Sequence, residues 1–484
     1  MRSTFHGIEI GKRAIFAQQT ALSVTGHNIA NANTVGYTRQ NAITQATNPL
    51  SYPGMNVGNG PLQIGTGVET TEINRIRDSF LDGQFRSQAE QQGYWNVKHD
   101  TLSKIEETLN EPADTGLQAN FDRFWQSWED LSKEPDSLAA RAALLSNATA
   151  LAGRFNQISD SMENLSTDLQ NQLSTKTQEM NNLTKQVSEL NLQIAKITAS
   201  GQQPNDLLDQ RDLLVDKISK MADIQVKPAQ AGHGMVDIFI DNKSLVAGDK
   251  NYSVSFDSSS NQLSLGGTTV SLKSGEIAGM VESLTQDIPS FMSKINELVS
   301  VFSRETNQIH TDATAMNLDD IQNRKNDPTA ALDQLPFFVA SGTSSNPGTA
   351  GEITVNPLIV ASLNKIAAAR VANVSDAGTA NELNNLKFKT VSFSNQTTTL
   401  NNFYRTIVGD VGIKTQEAIQ MESNSEILVQ QAESQRQSVS GVSIDEEMTN
   451  MVKFQQSYNA ASRYISVMDE VLDKLINGTG RVGI

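Results

Sequence analysis

The sequence contains no cysteine in its 484 residues. Disulfides, thiolate metal ligands and a cysteine nucleophile are therefore excluded. Aromatic residues make up only 6% of the chain, so we do not expect large aromatic cores. No window approaches the roughly 20 consecutive apolar residues of a membrane span. The N-terminal residues also lack the continuous apolar run of a cleaved secretory signal.

A basic surface is missing as well. Acidic residues outnumber basic ones, and the formal net charge is −16. Nucleic-acid binding requires a basic stripe that neutralises phosphates, and an anionic membrane surface also attracts basic segments. The charge balance therefore predicts that neither nucleic acid nor a membrane is a partner.

Motifs for catalysis or metal binding are not found. The five histidines do not pair at helical spacing, and there is no H-E-x-x-H, G-x-S-x-G or Walker loop. The G-x-G pairs at 58–60 and 65–67 lack a strand-then-helix context, and we interpret them as turns in an extended connector. Asp209, Arg211 and Asp212 start a helix, where a cap or a salt bridge is the better interpretation. We predict no catalytic residue, no cofactor and no metal.

Residues 21–40, ALSVTGHNIANANTVGYTRQ, are the stretch around which the chain is organised. They turn an amphipathic N-terminal helix into an Asn- and Gly-rich turn with an extended exit. Asn31 and Asn33 tolerate the left-handed conformation that ends helices, and Gly36 adds a second permissive position. The helix places large apolar residues seven apart, flanked by small residues: Ile8, Ile15, Leu22 and Ile29, with Gly11, Ala14, Ala17, Ala21 and Ala30. So narrow a seam needs another helix to cover it.

The C-terminal segment is the strongest heptad pattern in the sequence. Ser443 and Glu446 form a capping box at its start, and glycines at 478 and 480 follow its last turn. Nine of its ten seam positions can pack, Glu447 being the exception, and each buried apolar side chain contributes roughly 1.5–3 kcal/mol. The a positions are Ile444, Met451, Tyr458, Ile465 and Leu472, and the d positions are Glu447, Phe454, Ala461, Met468 and Leu475. This helix is the obvious partner of the N-terminal one.

Between the two ends the pattern is mainly helical. A helix is predicted from about residue 73, and an aromatic stripe at 121–131 reads as core. One long helix over 155–197 carries a stutter between Leu165 and Leu173, and a return helix from about 205 makes an antiparallel hairpin. Short antiparallel strands are predicted over 224–272 and 336–357, and further helices over 275–309 and 398–438. Residues 312–336 are read as a loop or weak helix.

The predicted fold is mainly α with inserted β. It has a discontinuous terminal coiled-coil domain formed by residues 1–55 with 437–484. A helical rod domain takes residues 56–223 with 276–334 and 396–436. A smaller antiparallel β-rich outer module takes residues 224–275 with 335–395.

The two ends together resemble the bacterial flagellar axial proteins of the rod, hook and hook-associated group. The pattern A-L-x-x-x-x-x-N-I-A-N-x-N-T-x-G-Y is matched from Ala21 to Tyr37, and the C-terminal pattern is matched from Gly441 to Asn477. Arg39-Gln40, NDLLDQRDLLVDKIS at 205–219, GEIAGM at 275–280 and ITVNP at 353–357 are similar to the hook-associated proteins of the hook–filament junction. Val35 departs from the family, in which many members carry Pro.

The resemblance implies a structural subunit without catalysis. Its expected partners are copies of itself in a ring-like layer, the hook protein, a second hook-associated protein on the filament side, and an export chaperone on the C-terminal helix. It also implies export through the flagellar apparatus without a cleaved signal, and a place in the extracellular flagellum. The alternatives are another axial protein of the hook or filament side, or an adhesin or enzyme carried on axial-type termini.

We predict that the terminal seams fold when the subunit assembles, since neither has a partner in the central domains. The predicted assembly interface comprises Ile8, Ile15, Leu22, Asn28, Ile29, Asn31, Asn33, Gly36, Tyr37, Ile444, Met451, Phe454, Tyr458, Ile465, Met468, Leu472 and Leu475.

Overall fold

The computed structural model describes residues 5–49, 65–111, 113 and 115–478. The mainly α fold with inserted β is confirmed. Within these residues the helices are α1 His6–Ala30, α2 Ser79–Leu109, α3 Leu117–Lys133, α4 Leu138–Ala199, α5 Asn205–Met221, α6 Glu276–Glu282, α7 Ile288–His310, α8 Leu318–Asn326, α9 Pro357–Ala361, α10 Gly378–Asn385, α11 Leu400–Ser440 and α12 Ile444–Asn477. A π-helical turn, Ser283–Asp287, joins α6 to α7.

The strands form small antiparallel sheets. They are β1 Gln40–Ala46, β2 Val68–Arg75, β3 Gln225–Pro228, β4 Val236–Ile240, β5 Lys243–Ala247, β6 Lys250–Asn251, β7 Val254–Asp257, β8 Gln262–Leu265, β9 Thr268–Val270, β10 Phe338–Ala340, β11 Ile353–Val355, β12 Val391–Ser392 and β13 Thr397–Thr398. The sheet orders are β1-β2, β3-β4-β5-β6, β7-β8-β9, β10-β11 and β12-β13. The strands predicted over 224–272 and 336–357 are confirmed.

The long helix α4 is the spine of the molecule. It has 62 residues and extends for about 93 Å. It begins earlier than predicted because the Ser137 hydroxyl caps it and residues such as Leu144 and Leu151 continue the buried face. It ends before Gly201, whose φ of 83° reverses the chain into α5. The predicted antiparallel hairpin is confirmed.

Polar residues complete the buried face of α4 beyond the stutter. Thr177 and Asn191 are buried, whereas the predicted seam residues Lys176 and Leu190 are only half-buried. The Asn191 amide Nδ2 donates to the carbonyls of Val236 (2.8 Å) and Gly248 (2.7 Å). Pattern reading based on apolar residues missed both positions because both side chains are polar, and Asn191 is buried against the sheet that its amide binds.

An aromatic cluster joins α3, α4, α7 and β10, contrary to the expectation from the composition. The rings of Phe124 and Phe302 meet edge to face with centroids 5.5 Å apart. A low average content does not prevent local concentration, and these side chains share one core: Phe121, Phe124, Trp125, Trp128, Phe155, Phe302, Phe337 and Phe338. The interpretation of the stripe at 121–131 as core is confirmed.

A β-ribbon follows α1 where the sequence suggested a connector and then a helix. β2 runs to Arg75, so the prediction of a helix from residue 73 is wrong for the first six positions. Helix α2 starts at Ser79, where the Asp78 carboxylate accepts the N–H of Phe80 (2.8 Å), and it continues unbroken to Leu109. Most of the predicted connector, residues 50–64, lies outside the described residues.

The two β-rich segments lie at different places along α4. The sheets of 225–270 attach near its C-terminal half, where the Asn181 side chain bonds the backbone of Val254. The β10-β11 pair lies near Ser159 and α7, and the Asn307 amide donates to the carbonyl of Phe338 (2.6 Å). The predicted single outer module therefore combines two segments that contact different parts of α4.

Candidate assembly interface

The N- and C-terminal helices lie antiparallel along each other. Gly7 of α1 lies beneath Met468 of α12, Gly11 lies beneath Ile465, and the Asn28 amide reaches Glu447 at the far end. α12 follows α11 after only three residues, so the same link that ends the rod begins the terminal pair. The predicted pairing of the two ends is present in the single chain.

Small residues form the contact face of α1. A Cβ placed on Gly11 would come within 2.5 Å of Ile465 Cγ1, so the backbones approach too closely for a side chain there. The buried residues of α1 are Gly7, Gly11, Ala17, Ala21, Val24, Thr25 and Asn28. The larger residues expected to form the seam are half-buried beside this face: Ile8, Ile15, Leu22 and Ile29. The small flanking residues therefore take the centre of the contact.

The heptad seam of α12 faces α1 but is thinly covered. Leu472 and Glu447 are its buried residues, while Ile444 and Leu475 at the two ends remain about half exposed. The rest of the seam is half-buried: Met451, Phe454, Tyr458, Ala461, Ile465 and Met468. One neighbouring helix can cover only one side of α12.

Glu447, the seam position that appeared unable to pack, is held by a buried polar joint. Its carboxylate accepts from Asn28 Nδ2 (3.1 Å) and from Arg39 Nε (2.8 Å). The side-chain oxygen Oδ1 of Asn28 in turn accepts from the Tyr37 hydroxyl (2.8 Å) and from the N–H of Gln40 (3.0 Å). Burial and the nearby carboxylates of Asp206, Asp209 and Glu447 raise the pKa of Tyr37, which keeps this hydroxyl a donor. Each partner of the carboxylate comes from the N-terminal motif.

The motif's turn leads the chain out of the helical pair. Helix α1 ends at Asn31, which has a φ of −104° and whose Nδ2 donates to the carbonyl of His27 (3.1 Å). Asn33 is exposed, and neither asparagine is left-handed. Gly36 does adopt a positive φ of 82°, and it faces the side chain of Leu213 on α5. One left-handed residue is thus sufficient for the turn.

A ladder of aspartates on α5 meets arginines from β2, α2 and α11. Arg75 donates to Asp209 (2.7 Å) and to Asp212 (2.9 Å). Burial alone would raise the pKa of Asp212, but the guanidinium groups of Arg211, Arg77 and Arg75 lower it to about 2. Further along α5, the Asp216 carboxylate accepts hydrogen bonds from Arg86 (2.7 Å) and from Arg436. The predicted salt bridge at 209–212 is confirmed, and the aspartate spacing along α5 was its only signal in the sequence.

Among the described residues no group of three or more His, Asp or Glu side chains could hold a metal ion. No helix in that part of the chain is both long and apolar enough to cross a membrane. What the geometry provides is a helical pair anchored by a polar joint to a rigid rod.

Comparisons with known proteins agree with this arrangement. The model of the flagella basal body rod protein matches residues 8–38, and that of the flagellar basal body rod FlgEFG protein C-terminal region matches 433–478. The model of the flagellar hook-associated protein FlgK helical domain matches 102–323. The two terminal matches cover α1 with its turn and the end of α11 with α12, which places the chain in the class of flagellar axial proteins.

Full-length relatives identify the family. The chain is 36% identical over 517 residues to flagellar hook-associated protein 1 of Bacillus subtilis, covering 99% of both chains. It is 25% identical to the Escherichia coli protein of the same name, covering 95% of this chain and 97% of that one. The structure of the flagellar hook junction protein FlgK from Burkholderia pseudomallei has the same fold, with a TM-score of 0.61, 16% identity, and coverage of 74% of this chain and all of that one. The chain belongs to the family of flagellar hook-associated protein 1, FlgK.

Proposed function

We propose that this protein is a structural subunit of the junction between the flagellar hook and filament, and that its terminal helices complete their packing against neighbouring axial subunits. The observation that carries the proposal is the one-sided contact of α12. Only Glu447 and Leu472 are buried among its residues, although apolar side chains lie all along it. Contiguous exposed apolar surface on a soluble chain is typical of an interaction site.

The partial cover also supports folding that is coupled to assembly. A helix of 34 residues with one half-covered seam gains little from tertiary packing, which is the main source of helix stability in proteins. The polar joint at Glu447 holds its first turns, and the remaining turns depend on the Gly/Ala face of α1. Neighbouring subunits would supply the missing apolar contacts.

The proposed partners follow from the family and the two ends. They are other copies of this chain in a ring-like layer, the hook protein on one side and a second hook-associated protein on the filament side. During export, which would proceed through the flagellar apparatus without a cleaved signal, a chaperone would cover the apolar faces of α12. The working location is the extracellular flagellum.

Deleting the gene tests this function. The expected result is cells with complete hooks that release unpolymerised filament subunits into the medium, because the filament lacks its foundation. A chain truncated before Gly441 should retain its folded rod and β modules but should fail to restore filaments. Filaments of normal length on the deletion strain, or normal attachment by the truncated chain, would contradict the proposal.

A further inference from the structure

The ribbon of β1 and β2 has a free edge on each side, because its sheet contains only these two strands. In an antiparallel pair, successive residues direct their backbone N–H and C=O groups alternately toward the partner strand and away from it. The N–H of Ile76 donates to the carbonyl of Arg39 (2.8 Å), and the N–H of Thr47 donates to that of Gly67 (3.0 Å). The odd-numbered residues of β1 therefore bond β2, and the even-numbered ones direct their backbone groups outward.

The outward residues of β2 follow from the same ladder. Ile43 pairs with Glu72 and Thr44 pairs with Thr70, so Thr71 is an extra residue that forms a bulge on β2. On either side of this bulge, the alternation places the backbone groups of these residues outward: Val68, Thr70, Ile73 and Arg75.

Amide side chains close both edges at the end of the ribbon that lies near the rod. Asn28 Nδ2 donates to the carbonyl of Gln40 (2.9 Å), and Asn28 Oδ1 accepts the Gln40 N–H (3.0 Å), as a neighbouring strand would. On the opposite edge, Asn205 Nδ2 donates to the carbonyl of Ile73 (2.7 Å). These side chains occupy the places in which an added strand would bind.

Both edges are open at the other end of the ribbon. Within the part of the chain that the structure describes, no hydrogen bond reaches the outward backbone groups of Thr44 and Ala46 on β1, or those of Val68 and Thr70 on β2. Ala46 pairs with Val68 and Thr44 with Thr70, so the two open stretches lie at the same height. Neither strand contains the Lys or Pro that commonly protects an exposed edge.

We propose that neighbouring copies join these open edges, β1 of one copy pairing with β2 of the next, and so form a continuous antiparallel β-collar around the axis of the layer. Thr44 and Ala46 of one copy then exchange backbone hydrogen bonds with Thr70 and Val68 of the next. The proposal rests on the proposed function, and it names a subunit contact made outside the terminal helices. The main chain supplies the contact, as in other cases of strand addition to a sheet edge.

The ribbon itself favours this pairing over the two symmetric ones. When copies point in the same direction along an axis, β2 of one runs opposite to β1 of the next, as an antiparallel ladder requires. Pairing β1 with β1, or β2 with β2, would require one copy to be inverted. Pairing β2 with β2 would also set Glu69 of one copy opposite Glu69 of the other, whereas β1 has no charged residue. A contact between two different edges repeats from copy to copy and builds a ring or a helical array.

Disulfide trapping between chains tests the collar directly, since the sequence contains no cysteine. Between copies, Gln45 would face Glu69 at a non-hydrogen-bonded position, where side chains are closest. Gln45→Cys and Glu69→Cys are placed in separate full-length chains, because the same two positions also pair within one ribbon. Both chains are co-expressed in the deletion strain, and intact hook–filament junctions are isolated and mildly oxidised. The expected result is a dimer on a non-reducing gel that forms only when both chains are present.

The closed end of the ribbon provides the matched control. Asn41 pairs with Asn74 within one chain, as Gln45 pairs with Glu69. Separate chains with Asn41→Cys and Asn74→Cys, co-expressed in the same way, should give no dimer, because amide side chains already occupy both edges there. A dimer from this control equal to that from the test pair would overturn the proposed pairing. A dimer from Gln45→Cys alone would also overturn it, since it would show β1 pairing with β1.

The cross-linking result also separates the collar from the function on which it rests. Intact junctions that contain both test chains and yield no dimer would overturn the collar, while the proposed function would stand. A parent chain that never locates to the junction would defeat the proposed function itself.

Hydrogen exchange of the parent chain measures the added hydrogen bonds without any variant. The amides of Thr44 and Ala46 should exchange rapidly in the free chain and at least several-fold more slowly in isolated junctions. The amide of Gln45 bonds β2 within the ribbon, so it should be protected in both states. Equal rates for Thr44 and Ala46 in the two states would overturn the collar. Protection of these two amides in the free chain would also overturn it, because the chain would then cover its own edge.

Discussion

Gly11 of the N-terminal helix lies directly beneath Ile465 of the C-terminal helix, 454 residues later in the chain. A Cβ on Gly11 would come within 2.5 Å of Ile465 Cγ1 and 3.1 Å of Tyr464 Cδ1. Ile465 is β-branched and has little rotational freedom in a helix, so it cannot move aside as a flexible side chain could. The contact of the two helices at this point therefore depends on the absence of a Cβ from residue 11.

Replacing Gly11 with alanine should push the helices apart. The expected cost is about 1–3 kcal/mol, typical of overpacking, less the 0.5–1 kcal/mol that alanine contributes to helix stability. Hydrogen exchange of α12 in the free chain should become faster. Gly26→Ala is the control, since its Cβ would have no neighbour within 4 Å, and this variant should be neutral or slightly stabilising. Equal effects of the two substitutions would contradict the packing described.

Removing the carboxylate of Glu447 should release the start of α12. Glu447→Ala removes one buried acceptor from Asn28 Nδ2, which keeps the Gln40 carbonyl, and one from Arg39, which keeps Glu446. Leaving such buried donors unsatisfied costs about 1–3 kcal/mol. Exchange of the first turns of α12 reports the loss. Glu446→Gln should cost at most about 1 kcal/mol, because that side chain is largely exposed. A large effect at Glu446 and none at Glu447 would reverse this ranking of the two carboxylates.

Neutralising Glu90 should stabilise the rod only at high pH. Burial, followed by the carboxylate of Asp223, raises the pKa of Glu90 from 4.5 to about 7. The folded chain then binds more protons than the unfolded chain between pH 4.5 and 7, so stability falls as pH rises through that window. Glu90→Gln removes this loss, and its urea midpoint should exceed that of the parent at pH 8.

The same comparison below pH 4.5 should show no difference, since Glu90 is then protonated in both states. Glu163→Gln, on the exposed side of α4, should leave the midpoint unchanged at both pH values. A gain from Glu90→Gln that does not depend on pH would show that the charge of Glu90 is not its cause.

The free chain should exchange its α12 amides much faster than those of α4. Most residues of α12 are exposed, whereas α4 carries fully buried residues such as Leu144, Phe155 and Leu173 along its length. Hydrogen exchange with mass spectrometry in dilute solution measures both helices in one sample. Protection of α12 equal to that of α4 would rule out folding coupled to assembly.

Local patterns predicted the elements more reliably than their contacts. The heptads of α12 were readable because apolar side chains at a and d positions must share one face whatever covers it. The first turns of α4 were not predicted, and the end of strand β2 was predicted as helix. Ala-rich helical turns and short polar strands both have weak hydrophobic periodicity. The exact centre of the α1 face was missed for another reason: in a close helix crossing the smallest residues, not the largest, touch.

The amino-acid sequence by itself determined the helical character, the pairing of the two ends and the family, because each depends on patterns within a short stretch. Only the tertiary structure decided the role of Glu447 and the match of the α5 aspartates with arginines from three other elements. Those features depend on residues tens to hundreds of positions apart. A buried charge is stable only where the fold places an opposite charge or a hydrogen-bond partner next to it. A pattern within one short stretch of sequence cannot show which distant residue that partner is.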